Sequence, residues 1–268
     1  MFRRGGRRAA GVMSGQSHLL SILQLFDTGG PVWTVEEIAR TLGLSVRTAY
    51  RNVRELTQAG MLDPVAGAGY VLGPAFIRFD RIIRQTDPLV GVASPFMEQV
   101  LEETSQSASV ILCRRFRDCV MSVHMVEGAS PHPRASYERG AAMSLFRGAP
   151  AKVILAFLPD RVLRNLYLRH EQDLREAGCE SWAAFKDQLR PVKKNGYAMT
   201  LSEIGTGRAG IAAPILRGGQ VVASISLVVT DDVAREPERT AIYAAAMKDT
   251  AARISAKLED EATPFARA

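Results

Sequence analysis

Thr34–Ala59 reads TVEEIARTLGLSVRTAYRNVRELTQA, and this stretch decides the fold of the first third of the chain. Apolar residues fall at Val35, Ile38, Ala39 and Leu42, then past Gly43 at Leu44, Val46, Ala49, Val53 and Leu56. Steps of three and four residues keep such side chains on one helix face, so each half reads as an amphipathic helix. Thr34, with Glu37 three residues on, has the form of a capping box at the first helix start. Gly43 stops that helix and Ser45 is placed to cap the second. Gly60 falls just past its end, where a left-handed residue is wanted. Two apolar-faced helices around a glycine-containing turn make a helix-turn-helix.

The outward face of the second helix carries Arg47, Thr48, Tyr50, Arg51 and Arg54. Arginine reaches both phosphates and guanine edges, the hydroxyls reach phosphates, and the threonine methyl meets thymine. A lone arginine-rich face is ordinarily a solvated one. Here it sits on the second helix of a turn motif and is nearly free of glutamate, which favours double-stranded DNA as partner. After Gly60, Met61–Leu62 and Tyr70–Leu72 read as short strands about a Pro64–Gly69 turn. A hairpin in that position is a wing, and its Gly67 and Gly69 allow the backbone to approach phosphates closely; a plain surface hairpin would have the same sequence. The candidate DNA-binding set is therefore Ser45, Arg47, Thr48, Tyr50, Arg51, Arg54, Gly67 and Gly69.

The charge distribution agrees. The 268 residues carry a net charge of +6. Residues 1–86 hold eleven arginines, six acids and no lysine, so 11 − 6 = +5 of that excess lies in the first third. A basic module beside a near-neutral remainder is the footprint of a polyanion-binding domain joined to a partner domain. The length suggests about two domains. No apolar run approaches the roughly 20 residues of a membrane helix, and no hydrophobic segment follows the basic N-terminus as in a signal peptide. Cys113, Cys119 and Cys179, an odd number without metal-like spacing, read as reduced thiols of a cytoplasmic protein.

In order, residues 1–13 form a basic Gly/Arg/Ala arm, read either as a DNA contact or as sequence upstream of a start at Met13. Residues 14–73 are the winged helix-turn-helix, opened by a helix over Ser14–Phe26. The amphipathic stretch Pro74–Gln85 gives a linker helix over 74–87 and a dimer contact, since two-fold recognition of half-sites needs one. The second domain, 88–261, opens with a helix at Leu89–Glu103. Strands follow at Ser107–Arg114, Cys119–Val126 and near Arg134–Tyr137. A helix at Gly148–Leu158 and two or three more to Lys194 come next. Strands at Gly196–Thr200, Arg208–Leu216 and Gln220–Thr230 then precede a closing helix at Arg239–Glu261 and a tail at 262–268. A mostly antiparallel sheet flanked by helices is an α+β sensor-type domain.

These residues resemble the isocitrate lyase regulator (IclR) family of bacterial transcription factors. The likeness is carried by Thr48-Ala49-Tyr50-Arg51 with Leu56 and Gly60. In the second domain it is carried by Gly140, Ser144-Leu145, Ala149, Ala151-Lys152 and Leu155-Ala156, and then by Gly196-Tyr197, Glu203, Gly207 and Ile211-Ala212-Ala213-Pro214-Ile215. It runs from about Ser17 to Glu261. The resemblance implies a winged helix-turn-helix plus a GAF-like effector domain, acting as a homodimer or dimer of dimers, with a small organic acid or aromatic compound as effector and no cofactor. It also implies a pocket lined by Met143, Ala149, Pro150, Thr200, Arg208, Gly210, Ser226 and Val228. Ser144, Phe146 and Ala151 depart from the family pattern, and Pro150 is inserted at the helix start. Thr200 and Val228 stand where keto-acid binders carry an acid and a serine, so an apolar or aromatic ligand is favoured over a keto acid. Arg208 has two readings, a bidentate partner for a ligand carboxylate or a surface arginine after a glycine-rich turn. His132 and Tyr137 are weaker anchors.

Other signals carry less. Gly205-Thr206-Gly207-Arg208-Ala209-Gly210 is a literal GxGxxG, but Pro214 and the Ile/Val-rich continuation point to a strand where a dinucleotide site needs a helix. Cys113, Cys119 and His124 do not make a metal site, because the two cysteines lie on different strands. The runner-up function is an enzyme, a GAF-like domain redox-active through Cys113 or Cys119 and tethered by the N-terminal module, which predicts an exposed thiol of low pKa; no catalytic residue is assigned.

Overall fold

The computed structural model describes residues 15–104, 107–130, 138–232 and 235–261. The basic arm, the tail, the strand expected near Arg134–Tyr137, and His132 and Tyr137 lie outside the described residues. The chain divides into two compact units, Met1–Thr86 and Asp87–Ala268.

In the first unit, α1 (Gly15–Thr28), α2 (Val35–Leu42) and α3 (Val46–Gln58) precede a two-stranded hairpin, β1 (Leu62–Val65) and β2 (Gly69–Leu72), and then α4 (Ala75–Thr86). The expected caps form. Thr34 Oγ1 accepts the Glu37 N–H at 3.2 Å while the Glu37 carboxylate accepts the Thr34 N–H at 2.9 Å. Ser45 Oγ accepts the Thr48 N–H at 3.1 Å. Gly43 takes φ 66° and Gly60 φ 69°, left-handed positions that end α2 and follow α3. Ile22, Val35, Ile38, Ala39, Ala49, Val53, Leu56 and Leu62 close one core. Asn52 joins the buried face of α3.

The wing differs from expectation in its turn. Pro64 lies inside β1, opposite Tyr70, rather than in the turn. The hairpin has only two strands, so a residue without an N–H is tolerated there. The turn closes through the Ala68 N–H donating to Val65 O.

The second unit is one six-stranded sheet of order β5-β4-β3-β8-β7-β6, every adjacent pair antiparallel. Its strands are β3 (Ser109–Phe116), β4 (Cys119–Glu127), β5 (Ala142–Ser144), β6 (Ala198–Leu201), β7 (Arg208–Arg217) and β8 (Gln220–Thr230). Alternation along each strand gives the sheet two apolar faces. One face, with Val110, Leu112, Ile211, Ile215, Ile225 and Leu227, packs on α5 (Pro88–Thr104) and α10 (Pro237–Glu261). The other, with Ile111, Cys113, Val120 and Val228, is covered by α6 (Ala149–Phe157), α7 (Asp160–Arg169), α8 (Glu171–Glu176) and α9 (Trp182–Asn195). This is the expected α+β architecture, a winged helix-turn-helix followed by an antiparallel sheet flanked by helices.

Candidate DNA-binding face and effector cleft

On α3 the inward residues Ala49, Asn52, Val53 and Leu56 are buried, so the other side must face out. Arg47, Tyr50, Arg51 and Arg54 are exposed, Thr48 is half-buried, and with Thr48 the four line one continuous surface. No ion pair engages Arg47, Arg51 or Arg54 among the described residues. Their guanidinium groups face solvent and do not pack into the chain's interior. Ser45 spends its hydroxyl on the cap and on a 2.8 Å hydrogen bond to Thr48 Oγ1.

The two wing glycines separate. Gly67 (φ 71°) has open space around it, as a residue meeting an outside partner should. A Cβ on Gly69 would come within 2.6 Å of Trp33 O, because the Trp33 N–H and O exchange hydrogen bonds with Tyr70 at 3.0 and 2.9 Å. The requirement for glycine at 69 is therefore the chain's own backbone rather than a phosphate.

In the second unit, a cleft lies between α6 and the sheet, over β3, β8, β7 and β6. Ala149, Pro150, Thr200, Arg208, Gly210, Ser226 and Val228 line it, together with Ile111, Gly148, Glu203, Ile204, Gly205 and Ala209. Met143 does not. It sits on β5 opposite Val120, at the far edge of the sheet, and packs with the hydrophobic cluster under α6. The cavity is small, about 40 Å³. Thr200 Oγ1 accepts the Ala149 N–H at 3.1 Å. Ser226 is fully buried, and its Oγ has no hydrogen-bond partner among the described residues. At Gly210 a side chain would project into the cleft. A Cβ there would stand 3.5 Å from Ala149 Cβ, 3.6 Å from Ser226 Oγ and 3.7 Å from Thr200 Oγ1. Arg208 is half-buried at the start of β7.

Residues 202–207 cross the mouth of the cleft, and sequence reasoning did not assign them a role there. Glu203 Oε2 accepts the Gly148 N–H at 2.9 Å, Oε1 pairs with the Lys152 ammonium, and the Glu203 carbonyl accepts from Arg147. Ser202 has φ 51°; its N–H donates to Arg208 O at 2.7 Å and its Oγ accepts the Gly207 N–H at 3.0 Å. The one available signal was Glu203 itself, an acid followed by Ile-Gly-Thr-Gly before a strand. Those glycines run into β7, not into a helix, so no dinucleotide site forms. Burial raises the pKa of the Cys113 thiol, as it does that of Cys179, which is opposite to what a reactive thiol at Cys113 requires. Among the described residues no cluster of His, Cys, Asp and Glu could hold a metal ion, and no helix is long and apolar enough to cross a membrane.

An arginine-faced recognition helix with a wing, joined to a sheet domain with an internal cleft, defines an effector-responsive, DNA-binding transcriptional regulator. The profile of the bacterial transcriptional regulator IclR C-terminal domain matches residues 83–256, and a helix-turn-helix domain profile matches residues 16–65. The chain belongs to the IclR family of bacterial transcriptional regulators. The HTH-type transcriptional regulator KipR of Bacillus subtilis is 26% identical over 242 residues, covering 89% of this chain and 94% of the relative. Among solved structures, an IclR transcriptional regulator from Alicyclobacillus acidocaldarius has a TM-score of 0.70 at 22% identity, covering 91% of this chain and 98% of that one. An IclR homolog from Microbacterium hydrocarbonoxydans, complexed with 4-hydroxybenzoate, has a TM-score of 0.66 at 20% identity, covering 92% and 100%. At these identities the two structures speak for the fold alone.

Proposed function

We propose that this regulator works as a homodimer or dimer of dimers in the cytoplasm, and that its effector is a small organic acid, preferentially aromatic, held in the cleft beneath α6. The observation that carries the reading is the cleft. Its walls are apolar at Ile111, Ala149, Pro150 and Val228, with Thr200, Ser226 and Arg208 as polar anchors, the composition of a small-molecule site. Arg208 is the residue to pair with a carboxylate, and Ser226 Oγ is a buried group in need of a partner. The Microbacterium homolog was solved with 4-hydroxybenzoate, an acid of this class, and that is a property of that protein.

DNA contact falls to Ser45, Arg47, Thr48, Tyr50, Arg51 and Arg54, with Gly67 at the wing tip. The module spans 14–73, the linker helix 74–87 and the effector domain 88–261. On α4, Phe79, Ile82 and Ile83 are 38, 48 and 53% exposed and fall within about 100° of arc, a face suited to a second copy. Effector then acts by population shift: it binds one dimer geometry better and so changes half-site engagement.

The test is a thermal-shift screen of the full chain against aromatic acids, followed by gel shifts on the DNA upstream of its own gene. Acids that raise the melting temperature should also change the DNA affinity. A screen in which stabilising acids leave DNA binding untouched would sink the proposal.

A further inference from the structure

We infer that the Glu203 carboxylate occupies the place of the effector's own anionic group, and that an acidic effector binds by displacing it. This rests on the reading of the cleft as the effector site, and it names a residue that sets the ligand's charge. The cleft opens on one side and offers about 40 Å³ of space between its walls, enough for a few waters but not for the whole of an organic acid. Entry therefore requires part of the wall to move. The helix α6 and the strands are held by buried apolar clusters. The segment 202–207 is mostly exposed or half-buried, so it is the wall that moves.

What fastens that segment to α6 is Glu203. Its carboxylate takes the Gly148 N–H at the α6 N-terminus and the Lys152 ammonium. Both donors fit any carboxylate, and a helix N-terminus favours a negative charge. Pro150 has no N–H, Ala149 gives its own to Thr200, and Gly148 gives its own to Glu203, so the Gly148 donor is the one that Glu203 holds. Lys152 and Glu203 are 32 and 31% exposed, and an ion pair this wet opens readily. Exchange of one carboxylate for another keeps the local charge constant. A neutral ligand that displaced Glu203 would leave Lys152 without its counter-charge. Below this point the buried Ser226 Oγ, without a partner and facing the cleft, marks where the rest of a ligand would bond.

The probes are benzoate and its neutral isostere benzamide, titrated by calorimetry into the full chain. Glu203→Gln keeps an acceptor for Gly148 and removes the charge. Benzoate should bind this variant about tenfold more tightly than the wild type, from the scale of a charge-assisted bond, and benzamide equally in both. Equal benzoate affinity, an equal gain for benzamide, or no benzoate binding to either chain overturns the inference. Gly210→Ala separates the two readings. Benzoate binding lost in that variant but indifferent to Glu203→Gln keeps the cleft and removes the displacement; binding indifferent to Gly210→Ala removes the cleft itself. In the wild type, saturating benzoate should speed amide hydrogen exchange at 203–207 and slow it at Gly148, a result independent of whether the variant folds. Slower exchange at 203–207 would overturn the displacement.

Discussion

Alanine at Arg47, Arg51 or Arg54 should weaken DNA binding without weakening the fold, and the three positions should fail in different ways. At 3.6 residues per turn the three fall within about 60° of arc and span about 10 Å of helix axis, the length of about three base pairs. None has an ion pair among the described residues, and all are exposed, so each truncation should stay within about 0.5 kcal/mol of wild-type stability. Residues near the N-terminus of a recognition helix meet base edges. Arg47 lies in the first turn of α3 and Arg51 one turn on, so these should lose discrimination by about 1–3 kcal/mol, roughly 5- to 150-fold between a specific and a scrambled duplex. Arg54 lies nearer the C-terminus. It should lower affinity for both duplexes alike and reduce the slope of log K against log salt by about 0.9, the release expected for one phosphate contact. The assay is fluorescence anisotropy over a salt series, with thermal melts in parallel. Three variants that melt with the wild type and keep both affinity and salt slope would refute the recognition assignment. So would variants that melt several degrees low, since the face would then be structural.

Thr34→Ala removes the acceptor for the Glu37 N–H and one side of the capping box, and should destabilise the first unit by about 1 kcal/mol, or roughly 5 °C in a domain of that size, read by circular dichroism melts. The Glu37 carboxyl is held below its ordinary range chiefly by the Thr34 N–H and then by the Thr34 hydroxyl, against an opposing effect of burial, with Arg40 adding least. A lowered native pKa contributes stability above the unfolded value and loses it as pH falls through the native one. The first unit should therefore lose more melting temperature than its Glu37→Gln variant between about pH 6 and pH 3; equal losses would remove the contribution. Asp87→Asn should leave effector affinity intact while reducing the change in DNA affinity that effector produces, measured by anisotropy with and without ligand. An unchanged response would exclude Asp87 from the coupling.

The sequence was most legible where local chemistry fixes the backbone. The Thr34–Glu37 box, the Ser45 cap and the left-handed Gly43 are each decided within four residues, and all three form. It was less legible where a residue serves two masters. Gly69 was read for an outside partner, but its need is set by Trp33, thirty-six positions away in sequence. Asn52 was invisible to a search for apolar periodicity, yet it fills the buried face of α3. In the cleft, Thr200, Gly210, Ser226 and Val228 sit on one sheet face because strand residues alternate, and that alternation survives in the sequence. Met143 was misplaced because strand order decides which strands lie under α6, and order is a long-range fact. Glu203 stands in a stretch that resembles the family, but its role is hidden in the sequence because its partners Gly148 and Lys152 lie more than fifty residues away.

The sheet's two faces offer a path within the second unit from the cleft to the start of α5. Ile111 and Val228 border the cleft, while their strand neighbours Val110, Leu112 and Leu227 press on the core shared with α5 and α10. A side chain that shifts on one face moves a strand whose next residue is packed on the other, and packed interiors transmit displacement because they hold few voids. Three residues beyond Ile111, Arg114 forks onto Asp87 with bonds of 2.9 and 3.0 Å. Asp87 also accepts the Leu89 N–H at 3.0 Å, fastening the first turn of α5, and it follows directly on Thr86, the last residue of α4. Within the second unit the start of α5 is thus tied to the strand that floors the cleft by one carboxylate, whose side chain is only 9% exposed. The arginine is 37% exposed, but two parallel bonds to one buried carboxylate fix a geometry that a single bond does not, which is what a strand needs if its small movement is to turn α5. Spatial adjacency alone does not establish coupling. The discriminating quantity is the ligand-induced change in DNA affinity with the fork present and with it removed, because a purely structural fork would lower stability and leave that difference as it was.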